Sequence, residues 1–437
     1  MAEGARIYNL FPPLVGSIDA WKLHLERIAG MGFNWIFLNP FHYPGFSGSL
    51  YAVKDYYTLN PMFRGHAKES ADRLIAGFAE AAARHGIGVM MDLVVNHTAK
   101  DSLVAAEHPT WFMREADGSL ASPFAVDPVD TRKRTVWADL AEIDYSDRPE
   151  RAEIAGYFAD LIRYYVKLGI LGFRCDAAYK VPKEVWRPLI AAGRGVDENT
   201  LFIAENLGGL LEEVLAMRGA GFDYLFNSAK WWDFRQGWLL EQYEKFRSIA
   251  PSISFPETHD TERLVAELRQ KGLSNPHDLE QRARTAYLFA AVFSTGVMIP
   301  IGFEYGFSRK LHVVETRSKD WETPLFDLCD YIGEVNRMKA AIPVLNEEGP
   351  QRALLLGDGR LVCLIRRAMR GPGWALTVIN SDQGAQATAR LDGLDGDMGE
   401  GRDITPAGTP GVGDRLPFQP GGEITLGPGQ MRVFAHR

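Results

Sequence analysis

The first 340 or so residues alternate short apolar runs with longer amphipathic segments. Such alternation is expected of βα units arranged around a parallel sheet. The apolar runs that qualify as strands cover residues 6–10, 35–38, 88–95, 172–175, 201–204, 224–226, 252–255 and 297–301. Amphipathic helical segments lie between them, and Gly32, Gly86 and Gly169 follow three of these as C-terminal caps should. Eight alternations predict a (β/α)8 TIM barrel, with a doubly wound open sheet as the alternative.

Two regions depart from this pattern. The segment 98–145 is too long for a simple βα loop, and loops of this length are usually functional or form a small inserted domain. After residue 340 the chain changes to short strand candidates separated by Gly, Pro and Asp, which predict an antiparallel β-sandwich. The predicted boundaries are 1–97 and 146–345 for the barrel, 98–145 for the inserted domain and 346–437 for the C-terminal β domain.

Composition narrows the class of partner. The net charge of −8 comes from scattered acidic residues, and the absence of a basic cluster or a phosphate-binding loop argues against nucleic acid and nucleotide partners. A neutral, polar small molecule or polymer fits better. No apolar run of about 18 residues and no leader-like start is present, so we expect a cytoplasmic protein without a membrane partner. The three cysteines are too widely spaced for a zinc site or a disulfide framework, and nothing in the sequence fixes an oligomeric state.

Polar residues follow most of the predicted strands, where the functional groups of a barrel are found. They are Asn39, Asn96, His97, Asp176, Glu205, Asn227, His259, Asp260 and Glu304. Any one of them could be a helix cap or a solvated loop residue. Closing the barrel, however, brings the ends of strands 3, 4, 5 and 7 around one mouth. Three carboxylates and two histidines would then share one pocket, which is unfavourable unless they are used.

The carboxylates fit glycoside cleavage, in which one acid attacks as an anion and another donates a proton. Arg174 and Asp176 are two residues apart on a strand, so they face the same side, and the arginine is expected to keep Asp176 ionised as the nucleophile. Glu205 follows an apolar run beside that negative charge, which should raise its pKa and make it the acid/base. Asp260 could bind sugar hydroxyls more tightly in the transition state. No metal-ligand pattern and no acyl-transfer motif competes with this interpretation.

Four short motifs in this order resemble those of the α-amylase family of retaining glycoside hydrolases and transglycosidases. They are DLVVNH at 92–97, GFRCD at 172–176, FIAEN at 202–206 and FPETHD at 255–260. The resemblance implies that Asp176 is the nucleophile, Glu205 the acid/base and Asp260 the transition-state stabiliser. It also implies that Arg174, His97 and His259 contact the sugar being cleaved, and that Tyr51 stacks on the same sugar. The segment 98–145 then corresponds to the family's domain B and the region after 340 to its domain C.

The sequence also departs from the family. Many amylases carry Lys-His where this chain has Tyr179 and Lys180, so the subsites beyond the cleavage point differ, and Lys180 is a candidate substrate contact. The family's calcium site implies Asn96 and Glu142 as candidate ligands, although the short domain B favours a protein that needs no cofactor equally well. Domain B further resembles that of bacterial maltosyltransferases that use maltose 1-phosphate.

Three hypotheses follow for the function. The first is hydrolysis of α-1,4-glucosidic bonds in maltodextrin, starch or glycogen-like chains through a covalent glycosyl-enzyme intermediate. The second is transglycosylation, maltosyl transfer or isomerisation, in which a sugar or phosphate captures the same intermediate. The third is a non-catalytic carbohydrate-binding protein, although such a protein would be expected to lose part of the carboxylate triad that this chain retains.

Overall fold

A computed structural model describes residues 4–126, 132–394 and 398–436. The eight predicted strands form a closed parallel barrel in the spatial order β1-β8-β7-β6-β5-β4-β3-β2, which confirms the predicted fold. The strands are β1 Arg6–Asn9, β2 Trp35–Leu38, β3 Gly88–Leu93, β4 Ile170–Cys175, β5 Leu201–Ala204, β6 Tyr224–Phe226, β7 Ser252–Ser254 and β8 Gly296–Pro300. Buried apolar side chains such as Ile7, Phe37, Met90, Ile203 and Met298 fill the interior. The barrel is therefore a packed core whose chemistry must lie at its mouth.

Helices surround the barrel. They are Pro12–Val15, Ile18–Lys22, Leu25–Gly30, Pro61–Arg64, Ala71–Arg84, Leu103–Glu107, Glu150–Lys167, Lys183–Arg194, Leu211–Ala216, Trp238–Phe246, Leu264–Gln270, Pro276–Phe293 and Cys329–Ala341. The helical pattern after β1 is broken at Leu23 and His24 into two short helices. Gly32, Gly86 and Gly169 all have positive φ just beyond helix ends, as predicted. No helix within the described ranges is long and apolar enough to cross a membrane.

The long segment after β3 stays beside the barrel mouth. Its first strand, His97–Ala99, pairs antiparallel with Leu140–Glu142, so the segment leaves and returns at the end of β3. A second antiparallel pair, Phe124–Val126 with Arg134–Val136, extends from it. A further pair, His42–Pro44 with Val53–Leu59, follows β2 and brings Tyr51 to the same mouth.

The C-terminal region forms two antiparallel sheets, in agreement with the predicted fold class. Its strands are β9 Gln351–Leu356, β10 Leu361–Arg367, β11 Trp374–Asn380, β12 Ala387–Arg390, β13 Gly401–Asp403, β14 Pro417–Phe418, β15 Glu423–Leu426 and β16 Met431–His436. Six of them form one sheet in the order β9-β10-β11-β16-β13-β14, and β12 pairs with β15. Cys363, Trp374, Leu376, Ile424 and Phe434 belong to the apolar core that the two sheets share. All three cysteines of the chain are free thiols.

The base of the barrel is joined to this region by buried polar contacts. The hydroxyls of Ser252 and Thr295, at the starts of β7 and β8, each donate to one carboxylate oxygen of Glu348. Arg366 on β10 donates to the Thr295 hydroxyl at 3.1 Å and to the Val292 carbonyl at 3.2 Å. The barrel's lower end therefore finds hydrogen-bond partners in residues outside the barrel.

Candidate active site

A cavity of about 450 Å³ opens where the barrel strands end. Asp176, Glu205 and Asp260 all line it, so the structure brings the three predicted carboxylates together. Asp176 and Glu205 directly follow β4 and β5, whereas Asp260 lies in the loop after β7, six residues beyond the end of that strand. The other predicted contacts that line the cavity are Tyr51, Asn96, His97, Glu142, Arg174 and Lys180.

Arg174 forms ion pairs with three carboxylates of the site. Its guanidinium is nearly buried, and Nη1 lies 2.5 Å from Asp176 Oδ1 and 2.8 Å from Asp92 Oδ1. Nη2 lies 3.8 Å from Glu205 Oε2. One cation therefore contacts the candidate nucleophile and approaches the candidate acid. Such an arginine stabilises a nearby ionised carboxylate through charge-assisted hydrogen bonds.

The chain turns sharply directly after Asp176. Ala177 adopts a left-handed conformation, with φ 42° and ψ 45°, which a residue other than glycine rarely adopts. In this conformation its N–H donates to Glu205 Oε2 at 3.0 Å. Strained backbone of this kind clusters at functional sites, because the surrounding structure must hold it in place.

Glu205 is buried against the barrel, and burial raises its pKa to about 7. The Asp176 charge adds to this rise, whereas Arg174 opposes it. The N–H groups of Ala177 and Leu207 donate to its two oxygens at 3.0 and 2.6 Å and fix the orientation of the carboxyl group. A carboxyl group with this pKa can hold a proton near neutral pH and give it up on demand.

Asp260 and His259 lie in the loop after β7, near the barrel mouth. Partial desolvation by the surrounding protein tends to raise the pKa of Asp260, but His259, Arg174 and Lys310 outweigh it and lower the pKa to about 2. His259 Nε2 lies 3.0 Å from Asp260 Oδ2 and 2.8 Å from the Tyr51 hydroxyl. The Asp260 side chain is 63% exposed, so an anionic acceptor faces the space that substrate would occupy.

Tyr51 is held in position by Asn39, one of the polar residues predicted at a strand end, and by Asp92, which the sequence analysis had given no role. The Tyr51 hydroxyl donates to Asp92 Oδ2 at 2.6 Å and accepts from Asn39 Nδ2 at 3.0 Å. Its ring lies parallel to that of His259, with 6.1 Å between the ring centroids. Burial raises the pKa of Asp92 to about 6, against the opposing effect of Arg174. Asp92 could have been recognised in the sequence, because it is a charged residue inside the apolar run VMMDLVV and a buried carboxylate needs partners.

The remaining predicted contacts differ in their surroundings. His97 is buried, its pKa is lowered by burial, and its Nε2 has no hydrogen-bond partner among the described residues. His259 does not line the cavity itself but lies behind Tyr51. Lys180 lines the cavity, with Nζ 2.7 Å from Glu213 Oε1 and 5.2 Å from the centre of the Tyr179 ring.

The candidate cation ligands form an incomplete set. Asn96 and Glu142 both line the cavity, but across the described part of the chain no three His, Cys, Asp or Glu side chains cluster as a metal site would need. Burial raises the pKa of Glu142, and the positive charge of Lys180 offsets only part of this rise. Ca²⁺ takes six to eight oxygen ligands, roughly three times what these two side chains offer without carbonyl or water oxygens. Asn96 and Glu142 by themselves therefore do not complete a calcium site.

Exposed aromatic side chains form part of the cavity wall, and the sequence pattern did not single them out. Phe124 and Trp137 come from the inserted segment, and Trp231 comes from the loop after β6. Tyr179, which the sequence analysis had already noted, is half-buried and lines the cavity from the turn after β4. Trp137 and Trp231 are 43% and 51% exposed, which is unusual for large aromatic residues. A sequence alone does not say which exposed aromatic faces a cavity, so this feature required the structure.

The chain is similar in sequence to known glucan-active enzymes. Residues 2–116 match the family model for the glucanotransferase domain of glycogen debranching enzyme. The chain is 27% identical over 418 residues to an α-1,4-glucan:maltose-1-phosphate maltosyltransferase of Burkholderia pseudomallei, which covers 93% of this chain and 36% of that protein. It is 25% identical to the Myxococcus xanthus protein of the same name, covering 85% of this chain and 57% of that protein. The chain thus spans only about a third to three-fifths of the length of these two relatives.

Solved structures share the whole fold. An α-amylase from Lactobacillus plantarum superposes with a TM-score of 0.73 at 20% identity and 99% coverage of both chains. The acarbose complex of the Geobacillus thermoleovorans α-amylase gives a TM-score of 0.75 at 18% identity, covering 99% of this chain and 98% of that one. The closed barrel, the motifs at the ends of the expected strands and these relatives all support the resemblance to the α-amylase family.

Proposed function

We propose that the protein is an enzyme that cleaves α-glucosidic bonds in α-1,4-glucans or maltooligosaccharides with retention of configuration. The observation that carries the proposal is the arrangement around Arg174: one buried guanidinium contacts Asp176 and approaches Glu205, whose pKa is about 7. The pair thus combines an anion held by a cation with a carboxyl group that keeps its proton near neutral pH. Retaining glycoside cleavage needs these two groups.

In the first step an Asp176 carboxylate oxygen attacks the anomeric carbon of the bound sugar. The bond from that carbon to the glycosidic oxygen breaks, its electron pair stays on the oxygen, and Glu205 donates the proton that neutralises it. Asp260, whose pKa is low, accepts hydrogen bonds from sugar hydroxyls that strengthen as the ring flattens. Tyr51, fixed by Asp92 and Asn39, supplies an aromatic face for the same sugar.

In the second step Glu205, now ionised, removes a proton from the incoming hydroxyl. The oxygen of that hydroxyl attacks the anomeric carbon, and the bond to Asp176 breaks with return of the electron pair to the carboxylate. Two inversions give net retention. Water as the acceptor makes the reaction hydrolysis.

Transfer to a sugar is the second candidate, because the two relatives described above are named maltosyltransferases. The glucanotransferase domain whose model matches residues 2–116 also supports it. The catalytic groups are identical in both cases, and only the identity of the acceptor differs. We further propose a cytoplasmic location, because the three cysteines of the chain are all free thiols and form no disulfide.

The test uses maltoheptaose as substrate and follows the anomeric form of the first products by NMR. An initial α product, lost in the Asp176→Asn variant, is expected. Hydrolysis yields shorter chains only, whereas transfer yields longer chains as well. An initial β product, or full activity of Asp176→Asn, would contradict the mechanism. Binding of glucan without any cleavage would favour a carbohydrate-binding protein instead.

A further inference from the structure

The loop that carries Asp260 has no helix or strand of its own. It lies between Ser254, where β7 ends, and Leu264, where the next helix begins. The Asp260 side chain is 63% exposed, and among the described residues His259 is the partner of its carboxylate, with Nε2 3.0 Å from Oδ2. The position of this carboxylate therefore depends mainly on the backbone of the loop.

A buried ion pair closes this loop. Glu257 and Arg263 are each only 1% exposed, and Arg263 Nη1 lies 2.7 Å from Glu257 Oε1. The other oxygen of Glu257, Oε2, accepts a hydrogen bond from the N–H of Leu264 at 2.6 Å. Both carboxylate oxygens thus bind the far end of the loop. Asp260 lies between the two residues of the pair, in the segment that the pair closes.

Two threonines hold the backbone inside the closed segment. The Thr258 hydroxyl accepts from the N–H groups of Asp260 and Thr261 at 3.2 and 3.3 Å. The Thr261 hydroxyl in turn accepts from the Thr258 N–H at 2.9 Å. Thr258 directly follows Glu257 in the chain. A shift of Glu257 would therefore move the hydroxyl that holds the Asp260 backbone.

Arg263 also ties the loop to the neighbouring strand. Its Nη2 donates to the carbonyl of Ile301, directly after β8, at 2.9 Å, and its Nε donates to the carbonyl of Arg309 at 3.2 Å. With Glu257, the guanidinium binds three acceptors that lie in different directions. The planar fork of an arginine suits such a site, whereas a lysine ammonium does not reproduce its geometry.

The ion pair does not fully compensate the burial of Glu257. Burial raises the pKa of Glu257, and Arg263 together with the Leu264 N–H offsets only part of this rise. Replacing a buried ion pair by apolar residues of similar volume is often neutral for stability, or even stabilising. The pair is therefore better explained by the geometry that it imposes on the loop than by the stability that it adds.

We propose that Glu257 and Arg263 are positioning residues for Asp260, which hold its carboxylate where the hydroxyls of the flattened sugar ring meet it. The proposal rests on the proposed function and adds to it two residues that lie outside the cavity lining. Asp260 binds the sugar more tightly in the transition state than in the ground state. Its displacement should therefore reduce kcat and leave KM nearly unchanged.

The experiment replaces the ion pair by apolar side chains of similar length, in the double variant Glu257→Met/Arg263→Met. We expect its melting temperature to stay close to that of the wild type. With maltoheptaose, kcat should fall between about tenfold and a hundredfold, while KM stays within about twofold. The inhibition constant of acarbose, whose unsaturated ring is flattened as in the transition state, should rise by the same factor as kcat falls.

The inhibition constant separates a positioning role from a structural one. A smaller fraction of folded protein lowers kcat but leaves the inhibition constant of the remaining active sites unchanged. Arg263→Lys keeps a cation near Glu257 but not the three-way contact, and its kcat and inhibition constant should lie between those of the wild type and the double variant. If the double variant does not fold, Arg263→Lys carries the same comparison.

The Asp403–Arg432 pair of the C-terminal sheets is a matched control. Arg432 Nη1 lies 2.9 Å from Asp403 Oδ2, and the Asp403 carboxylate also accepts from the N–H groups of Thr405 and Leu416 at 2.9 and 3.1 Å. In Asp403→Leu/Arg432→Met we expect both kcat and the inhibition constant of acarbose to equal the wild-type values.

Two results would overturn the positioning role. One is wild-type kcat in Glu257→Met/Arg263→Met, and the other is a fall in kcat without a rise in the inhibition constant. Asp260→Asn, measured alongside, tests the proposed function separately. Full activity of Asp260→Asn would contradict the role of Asp260 itself, whatever the double variant does.

Discussion

The N–H of Ala177 donates to Oε2 of Glu205 at 3.0 Å, while Ala177 itself holds a left-handed backbone conformation. The residue that follows the candidate nucleophile thus orients the candidate acid. The two catalytic groups are linked by one peptide unit as well as by Arg174. Changes in this peptide should therefore alter chemistry more than binding.

Substitution of Ala177 tests this link. A β-branched side chain is disfavoured at positive φ, so Ala177→Val should lower the free energy of unfolding by about 1–2 kcal/mol and reduce kcat at least about tenfold. Ala177→Gly tolerates the conformation and retains the N–H donor, and its kcat should stay close to that of the wild type. Denaturant unfolding and steady-state kinetics measure both. Wild-type kcat in Ala177→Val would show that the peptide does not position Glu205.

The pH dependence should follow Glu205. Its pKa of about 7 means that the protonated form, which the first step needs, is lost as pH rises through 7. Above that pH, kcat/KM for maltoheptaose should fall about tenfold per pH unit. Glu205→Gln should lose glucan cleavage at every pH, because glutamine has no proton to donate to the leaving oxygen. The variant should still release a burst of fluoride from α-maltosyl fluoride, since fluoride leaves without a proton, and a variant without that burst would argue against Glu205 as the acid.

Tyr51 combines a ring and a hydroxyl whose roles can be separated. Tyr51→Phe leaves the Asp92 oxygen and the Asn39 amide without a buried partner, and we expect it to lower the free energy of unfolding by about 1–3 kcal/mol. Tyr51→Ala also removes the face offered to the sugar and should reduce kcat/KM about a hundredfold. If both variants lost kcat/KM equally, the hydroxyl rather than the ring would be responsible.

Chelation should have little effect. Because Asn96 and Glu142 supply few oxygen ligands and Lys180 already places a positive charge near Glu142, we expect dialysis against EDTA to leave the melting temperature and the activity unchanged. Thermal unfolding with and without added Ca²⁺ measures this. A rise in melting temperature on adding Ca²⁺, abolished by Glu142→Gln, would establish a calcium site.

The barrel could be predicted from the sequence because each strand is a short apolar run that must be buried on both faces. The residues that follow the strands could be predicted in the same way. This gave Asp176, Glu205 and Asp260 as the catalytic candidates and Arg174 as the partner of Asp176. The short strands Ala387–Arg390, Gly401–Asp403 and Pro417–Phe418 were not among the predicted strands, since two to four residues carry too little periodicity to be recognised. Their positions depend on the sheet that they extend.

The site's supporting residues were harder to predict for a different reason. Asn39 and Asp92 both form hydrogen bonds with the hydroxyl of Tyr51, from which they lie 12 and 41 positions away along the chain. Only the closed barrel brings each of them to Tyr51. The pairing of Lys180 with Glu213 likewise depends on how the turn after β4 meets the next helix. Spacing along the chain reveals a strand or a helix, but it does not reveal a partner across the barrel mouth.

The hydrogen bonds from Ser252 and Thr295 to Glu348 affect how such a barrel can be inherited. A gene that encoded the first 345 residues alone would leave two hydroxyls at the barrel floor without this acceptor, and would lose Arg366 as well. We therefore expect that replacing the C-terminal sheets by recombination would destabilise the barrel. Barrel and sheets should be gained, lost and transferred between larger proteins as a single evolutionary unit.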